Sequence, residues 1–301
     1  MELVSTDVLN REALRKTSTD CSAAYYLVHS LESAGGNYAE ADRQAARNMI
    51  EAAGHSGLER IIYLGGLGED PEHLSQHLRS RAEVGHILGA GQVPVTTLRA
   101  AMIIGSGSIS FEIVRYLMDR LPVMITPRWL ETLSQPIAIR NVLEYLQGCL
   151  ENPATAGQTY DIGGPDTVSY RGLLRVYEEE ARLRHRWIVK VPVLTPRLSA
   201  YWIDLVTPIS ASIAFPLAEG LRNEMVCLDH RIREEIPLDL IDCRQAIRLA
   251  LDEGQYALWK DRSRREGPSP PAEWIYPGDP SWAGGDKRRR LDRWLHSQNS
   301  G

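Results

Sequence analysis

Two basic side chains four residues apart are the first candidates for chemistry in this sequence. Apolar residues recur at helical spacing over residues 71–88, so His77 and Arg81 are predicted to share one face of a helix. A histidine can act as a general acid near neutral pH, and an arginine can hold ribose hydroxyls or a phosphate. Solvated helix faces without any function show the same spacing, and that interpretation remains open.

Further candidates stand where the predicted strands end, because parallel α/β folds bind ligands outside the carboxyl ends of their strands. An aspartate just beyond a strand can accept a hydrogen bond from an adenine amine, or it can cap a turn. The sequence leaves both roles open for Asp7. The candidates at these ends are Asp7, His29, Ser30, Gly65, Gly66, Gly105, Ser106, Gly107, Ser108 and Gln135.

The run GSGSIS (105–110) follows a predicted strand and opens a predicted helix. Such a glycine turn can cradle a phosphate on the helix N-terminus. Two observations count against a pyrophosphate site. No acidic residue stands at a strand end about 20 positions further on, where a dinucleotide fold holds the ribose. The run also follows the third recognisable strand, where such folds carry a substrate loop. Ser106, Gly107 and Ser108, together with Gln135, are therefore predicted to belong to a substrate loop.

The elements that must position these residues alternate along the first half of the chain. Helical periodicity is found over residues 10–19 (with Asn10 as cap), 37–53 (stopped by Gly54), 71–88, 111–121 and 136–150 (after a short extended entry at 137–139). Short apolar runs typical of buried strands lie at 21–30, 57–66, 93–105 and 158–165, after an extended start at 2–5. Strands alternating with helices predict βαβ units and a doubly wound, mostly parallel, Rossmann-like sheet.

The pattern changes twice further along the chain. From residue 166 it becomes mainly helical, with helices predicted at 169–183, 196–206, 209–220 and 243–251 and an extended run at 187–193. From residue 253 it is rich in Pro, Gly and Trp, which is typical of an extended or disordered tail. We therefore predict a dinucleotide-binding domain over 1–165, a smaller helical lobe for substrate or partner over 166–252, and a tail over 253–301.

Composition narrows the classes of function. A net charge of −5 gives no reason to expect a nucleic-acid partner. Four widely spaced cysteines predict neither a disulfide framework nor a metal site, and they suit a reducing cytoplasm. The longest apolar stretch, 191–221, is broken by prolines and charges, so no membrane span is predicted. That stretch is interpreted either as buried helices of the small lobe or as a weak membrane-surface or protein contact.

Six runs of the chain carry a family resemblance. They are YYLVHSL, RIIYLGGLGED, LSQHLRSRAEVGHIL, LRAAMIIGSGSISFEIVRYLMDRLPVMITPRW, QPIAIRNV and YDIGGPDTVSYRGLL. These runs resemble NmrA-like, atypical short-chain dehydrogenase/reductase proteins, and among them the bacterial NAD(P)H-binding branch that carries a C-terminal domain of unknown function. The resemblance covers about residues 2–285 and is most specific over 99–165.

The resemblance implies a cofactor, NAD(P), an unknown small-molecule substrate and a role for each candidate. Asp7 would lie by the adenine, with His29 and Ser30 along the ribose and phosphates. Arg81 would lie by the nicotinamide ribose, and residues 102–105, including Met102 and Gly105, beside the nicotinamide ring.

The reductase catalytic set is replaced in this sequence. The family's Tyr-x-x-x-Lys falls on residues 77–81, so His77 and Arg81 stand in its place. The strand-end serine falls on Gly65 or Gly66, neither of which can polarise a carbonyl group. Any reduction would therefore follow an altered mechanism, with His77 as acid and Arg81 as the neighbouring charge.

The family also opens with a strand, a glycine-rich turn, a helix and a second strand. This chain is expected to begin at the third strand and to lack the first βαβ unit, roughly 50–60 residues. It is also expected to stop within the run-in to the C-terminal domain. Three hypotheses follow: an NAD(P)-dependent oxidoreductase of atypical mechanism, a non-catalytic dinucleotide-binding regulator or scaffold, and a fragment that no longer binds a cofactor.

Overall fold

Helices and strands alternate through the first half of the chain, as predicted. A computed structural model describes residues 4–30, 37–68, 74–126, 128–190 and 211–251. The helices are α1 (Arg11–Thr17), α2 (Tyr38–Ser56), α3 (Gln76–Gly89), α4 (Ile109–Arg120), α5 (Ile139–Glu151), α6 (Tyr170–Glu180), α7 (Ala211–Gly220), α8 (Ile232–Glu235) and α9 (Cys243–Ala250). The strands are β1 (Ala23–Tyr26), β2 (Arg60–Gly66), β3 (Val95–Ala100), β4 (Ile103–Ile104), β5 (Val123–Thr126), β6 (Leu133–Ser134), β7 (Ile137–Ala138), β8 (Thr159–Ile162), β9 (Val168–Ser169) and β10 (Trp187–Lys190).

The described residues divide into two compact units, each built from three segments of the chain. The first unit lies within residues 1–101, 140–163 and 223–240, and the second within 102–139, 164–222 and 241–301. The chain passes from the first unit to the second between residues 163 and 164, beside the domain boundary predicted at 165. Compactness does not identify folding units, so the domain boundaries at 165 and 252 stay predictions.

The first unit is built on a parallel sheet in the order β1-β2-β3-β8. One face carries Tyr26, Ile61, Tyr63 and Val95, which pack with α2 and α3 in a single apolar core. The other face carries Tyr25, whose hydroxyl donates to the carbonyl of Leu146 in α5. Helices on both faces of a parallel sheet confirm the predicted doubly wound α/β architecture.

Among the described strands, β1 forms one edge of this sheet. Tyr25 and Leu27 point to the same face, and they are 43% and 50% exposed. Residues 4 and 5 lie outside any strand, so the described part of the extended start predicted at 2–5 does not cover this edge.

Among its described residues, the second unit contains three two-stranded sheets: β4 with β7, β5 with β10, and β6 with β9. Its core joins α4, α6 and α9 through buried apolar residues such as Phe111, Tyr177 and Ile247. The predicted helices at 169–183 and 243–251 are confirmed as α6 and α9. The described part of the predicted helix at 209–220 is α7, and that of the extended run at 187–193 is β10. The predicted helix at 196–206, the tail from 253 and most of the apolar stretch 191–221 lie outside the described residues.

Two predicted boundaries are wrong for a physical reason. Helix α2 runs through Gly54 and ends at Gly57, whose φ of +79° is the left-handed backbone that terminates a helix. The single strand predicted at 93–105 is two strands, because β3 pairs with β2 and β8 whereas β4 pairs with β7. The break between them coincides with the boundary between the two units.

Candidate functional site

Helix α3 packs close to the carboxyl end of β2 because β2 ends in a glycine, Gly66. Ser75 caps the helix by accepting a hydrogen bond from the backbone N–H of Leu78. A Cβ added to Gly66 would stand 3.2 Å from the Leu78 side chain and 3.7 Å from that of Arg81. Gly66 therefore serves close packing between strand and helix, and this approach brings His77 and Arg81 to the strand end.

Arg81 bridges the ends of two neighbouring strands. Its guanidinium donates to the carbonyl of Val28, just beyond β1, at 3.2 Å, and to that of Leu64 in β2 at 2.7 Å. Tyr63 lies beneath the guanidinium, 5.4 Å from ring centre to carbon, and its hydroxyl donates to the Arg81 carbonyl at 2.8 Å. The arginine thus has a structural role at the sheet.

Two histidines stand beside this arginine. The ring of His77 lies 6.5 Å from that of the buried Tyr38, and protein lines most of it although part of the residue reaches the surface. Burial, the charge of Arg81 and His29 together lower the pKa of His77 to about 4. His29 is exposed at the surface, and desolvation by its surroundings followed by the charge of Arg81 lowers its pKa as well. At neutral pH both rings are neutral.

A buried carboxylate on α2 completes the arrangement. Asp42 accepts the backbone N–H of Ser30 at 2.7 Å and the hydroxyl of Ser80 at 3.1 Å, with only 3% of the residue exposed. It therefore fixes the chain just after His29. Sequence reasoning missed Asp42, although one signal was present: it falls on the buried stripe of α2, four residues after Tyr38.

Asp7 stands in a turn rather than with these residues. Its carboxylate accepts the N–H of Leu9 and its carbonyl accepts that of Asn10, which caps α1. The neighbouring carbonyls of Val8 and Leu9 accept from Asn48 of α2, six residues beyond Asp42 or about 9 Å along the helix. The contacts of Asp7 are those of a turn aspartate.

The glycine turn before α4 is closed by the protein's own carboxylate. Gly107 has a φ of +84°, and its N–H donates to Glu112 at 3.0 Å. Glu112 is buried beside Arg115, with which it pairs, and burial raises the pKa of Glu112. The N–H of Gly107, one of the donors that a phosphate at this turn would use, is thus already taken by a carboxylate. Ser106 is exposed, and Ser108 precedes α4 without a side-chain cap bond.

The other candidates of the second unit, Gln135, Met102 and Gly105, have contacts within the protein. The Gln135 amide donates to the carbonyl of Gly164 at 2.7 Å, and the carbonyl of Met102 accepts from the N–H of Ile137. A Cβ on Gly105 would come within 2.7 Å of Ile139, so this glycine permits close packing.

The structure therefore brings some predicted site residues together and keeps others in a different unit. His29, Ser30, Gly66, His77 and Arg81 meet at the ends of β1 and β2, and Gly65 adjoins them in β2. Met102, Gly105, Ser106, Gly107, Ser108 and Gln135 belong to the second unit.

No group of three or more metal-ligating side chains is found among the described residues. None of the helices in the described part of the chain is long and apolar enough to cross a membrane.

Comparisons with known proteins identify the fold. No protein-family model and no curated protein sequence matches the chain. A nucleoside-diphosphate-sugar epimerase from Staphylococcus aureus is 15% identical, with a TM-score of 0.64 over 80% of this chain and 81% of that one. Triphenylmethane reductase of Citrobacter sp., crystallised with NADP(H), is 14% identical, with a TM-score of 0.61 over 82% of each chain. The enzyme WbmG of Bordetella bronchiseptica, in complex with NAD and UDP, is 12% identical, with a TM-score of 0.60 over 82% and 78%. These likenesses confirm the Rossmann-like fold that the family resemblance implied.

Proposed function

We propose that this chain is an NAD(P)-binding protein of the short-chain dehydrogenase/reductase type, acting on a small molecule. The observation that carries the proposal is the meeting of His29, His77 and Arg81 at the carboxyl ends of two neighbouring parallel strands. Parallel α/β folds bind ligands at such ends. Solved structures with the same fold hold NADP(H) in one case and NAD in another.

The chemistry of these residues fits a dinucleotide. A neutral His77 can donate one hydrogen bond and accept another, which suits the hydroxyls of a ribose. Arg81 supplies a fixed positive charge beside it, held in place by the carbonyls of Val28 and Leu64. A bound nicotinamide supplies or accepts a hydride; the protein's part at these positions is to orient the ribose.

The state of His77 bears on catalysis. With a pKa of about 4, roughly one His77 in a thousand carries a second proton at pH 7. It then acts at neutral pH as a hydrogen-bonding group rather than as a strong proton donor, and Gly65 and Gly66 add no hydroxyl. This observation supports a second candidate function, a dinucleotide-binding regulator without turnover, beside the oxidoreductase of atypical mechanism.

Calorimetric titration with NADPH and NADH, together with thermal melts, tests the proposal. Saturation with a ligand of the native state raises stability, by about 2.7 kcal/mol at 100 times the dissociation constant. We expect His77→Gln to weaken binding and His86→Gln to leave it unchanged. His86 lies exposed in the last turn of the same helix, which makes it a matched control.

The two outcomes separate the hypotheses. Absence of binding and of any shift with either nucleotide would contradict the proposal and favour a chain that binds no cofactor. If binding is found, NADPH oxidation with a panel of quinones and carbonyl compounds separates enzyme from regulator. Turnover that survives His77→Phe would remove His77 as the acid.

A further inference from the structure

The two-stranded sheet of β5 and β10 has an inner and an outer apolar face. The strands run parallel, with Trp187 beside Val123 and Ile188 beside Met124. Met124 and Ile188 pack into the core of the second unit. On the outer face, Trp187 is 66% exposed, Val123 48% and Val189 47%. Parallel strands are usually covered on both faces, so this exposed apolar face indicates a surface that a partner covers.

The chain along both strands of this sheet is positively charged. Residues 120–128, which contain β5, include two arginines, and residues 182–190, which contain β10, include three arginines and one lysine. Neither run contains an aspartate or a glutamate, although the whole chain has a net charge of −5. Positive charge is therefore concentrated along these two strands.

Part of this charge lies at the surface just before β10. Arg182, Arg184 and His185 are exposed. The ring of His185 meets that of Trp187 edge-on, with 5.4 Å between the ring centres. No ion pair joins Arg184 to another residue that the structure describes. The basic loop 182–186 therefore adjoins the exposed apolar face.

The carboxylates that flank this loop already have partners within the second unit. Glu178 accepts from the guanidinium of Arg175 at 3.0 Å and from the backbone N–H of Arg186 at 2.8 Å. Asp119 accepts from the hydroxyl of Tyr177 at 3.1 Å. The exposed arginines of the loop can therefore face an anionic partner from outside the chain.

We propose that the outer face of the β5–β10 sheet, with the basic loop beside it, docks on the surface of a membrane that contains anionic lipid. Tryptophan prefers the boundary between water and hydrocarbon. Arginine can lay its apolar stem along such a surface and reach the lipid phosphates with its charged end. The inference goes beyond the proposed function, because this face belongs to the second unit and needs neither cofactor nor substrate.

The same features disfavour two other occupants. A second copy of the chain, related by a two-fold axis through this face, would bring the basic loops of both copies towards each other, and like charges repel. Single-stranded nucleic acid binds on rows of aromatic side chains, whereas Trp187 has a valine beside it on each strand, Val123 and Val189. Anionic lipid matches both the apolar face and the charge.

Flotation of the purified full chain with lipid vesicles tests the proposal, without any nucleotide present. One set of vesicles is phosphatidylcholine alone, and the other contains phosphatidylglycerol as well. We expect the chain to bind the anionic vesicles and to be released as salt is raised, since salt screens the attraction. The emission of Trp187, taken as the difference between the wild type and Trp187→Phe, should shift to shorter wavelength on binding.

Two substitutions separate the apolar from the electrostatic part, and each has a matched control. Trp187→Ala should weaken binding to anionic vesicles about tenfold, because the exposed ring no longer leaves water. Leu228→Ala is its control, since Leu228 is also 66% exposed but lies in the first unit. Arg184→Gln should weaken binding about fivefold, the effect of one cation near an anionic surface. Its control is Arg140→Gln on α5, also exposed.

Several results would overturn the inference. One is equal binding to the two kinds of vesicle, or binding to neither. Another is an equal effect of Trp187→Ala and Leu228→Ala, or of Arg184→Gln and Arg140→Gln. A chain that ignores vesicles but forms a dimer that Trp187→Ala dissociates has a second copy as its partner. A chain that ignores vesicles but binds polyglutamate or single-stranded DNA through Arg184 has an acidic protein or a nucleic acid instead. Each of these results leaves the proposed function standing.

Discussion

Replacement of Asp42 by alanine should destabilise the first unit far more than loss of an exposed carboxylate on the same helix. Asp42 is 3% exposed and satisfies two donors, the N–H of Ser30 and the hydroxyl of Ser80. Each buried donor left unsatisfied costs about 1–3 kcal/mol, so Asp42→Ala, which leaves two, should lower the free energy of unfolding by about 2–6 kcal/mol.

Asparagine at the same position should cost much less. Its amide oxygen can still accept from Ser30, and the Ser80 hydroxyl can turn to accept from the amide nitrogen. We expect a loss of about 1 kcal/mol, which is the charge-assisted part of the interaction. Glu51→Ala on α2 removes a carboxylate whose partner is the exposed Arg11, and such exposed pairs contribute about 0–1 kcal/mol.

Urea denaturation of the three variants gives the free energies, and hydrogen exchange gives a local measurement at one site. In Asp42→Ala the Ser30 amide loses its acceptor and should exchange faster, whereas in Asp42→Asn it should stay protected. The reasoning is refuted if Asp42→Ala is no less stable than Glu51→Ala, or if the Ser30 amide keeps its protection without the carboxylate.

Two further predictions follow from backbone conformation and from the state of a histidine. Gly54 lies inside α2 with open space around it, so Gly54→Ala should raise stability by about 0.5–1 kcal/mol, whereas Gly57→Ala at φ +79° should lower it by about 1–2 kcal/mol. Thermal melts that place the two variants in the opposite order would contradict this. Below pH 6.5 the unfolded chain protonates His77 before the folded protein does, since its folded pKa is about 4, so stability is lost as pH falls through this window. The loss reaches at most about 2 kcal/mol at pH 5, less for the part of the ring that meets solvent, and His77→Gln should remove it in denaturation at pH 7 and pH 5.

Short-range patterns in the sequence were sufficient to predict the α/β architecture. The alternation of apolar runs with helical periodicity predicted the parallel α/β sheet, and Asn10 predicted the start of α1, where its side chain accepts from Ala13. The end of α2 could not be predicted from a glycine alone. A glycine in a helix costs about 1 kcal/mol, which the buried face of α2 outweighs, so the helix continues until Gly57 adopts a positive φ.

The site was predicted in part. The residues at the strand ends follow from the fold, whereas the buried side chains that hydrogen-bond to them do not. Strand ends and the spacing of His77 and Arg81 are local in sequence. The carboxylates Asp42 and Glu112 look like solvated helix residues, and only tertiary packing buries them. Asp42 meets Ser80, 38 residues away, and such a pairing leaves no periodic trace in a single sequence.

The bridge made by Arg81 joins the end of the edge strand β1 to its neighbour β2. Its two acceptors belong to different strands, so fraying of β1 away from β2 breaks one bond and moves the guanidinium from its place. Under the proposed function, ligand occupancy and edge closure would be one equilibrium: a ligand bound to Arg81 would slow the opening of β1, and a force that pulls β1 open would release that ligand.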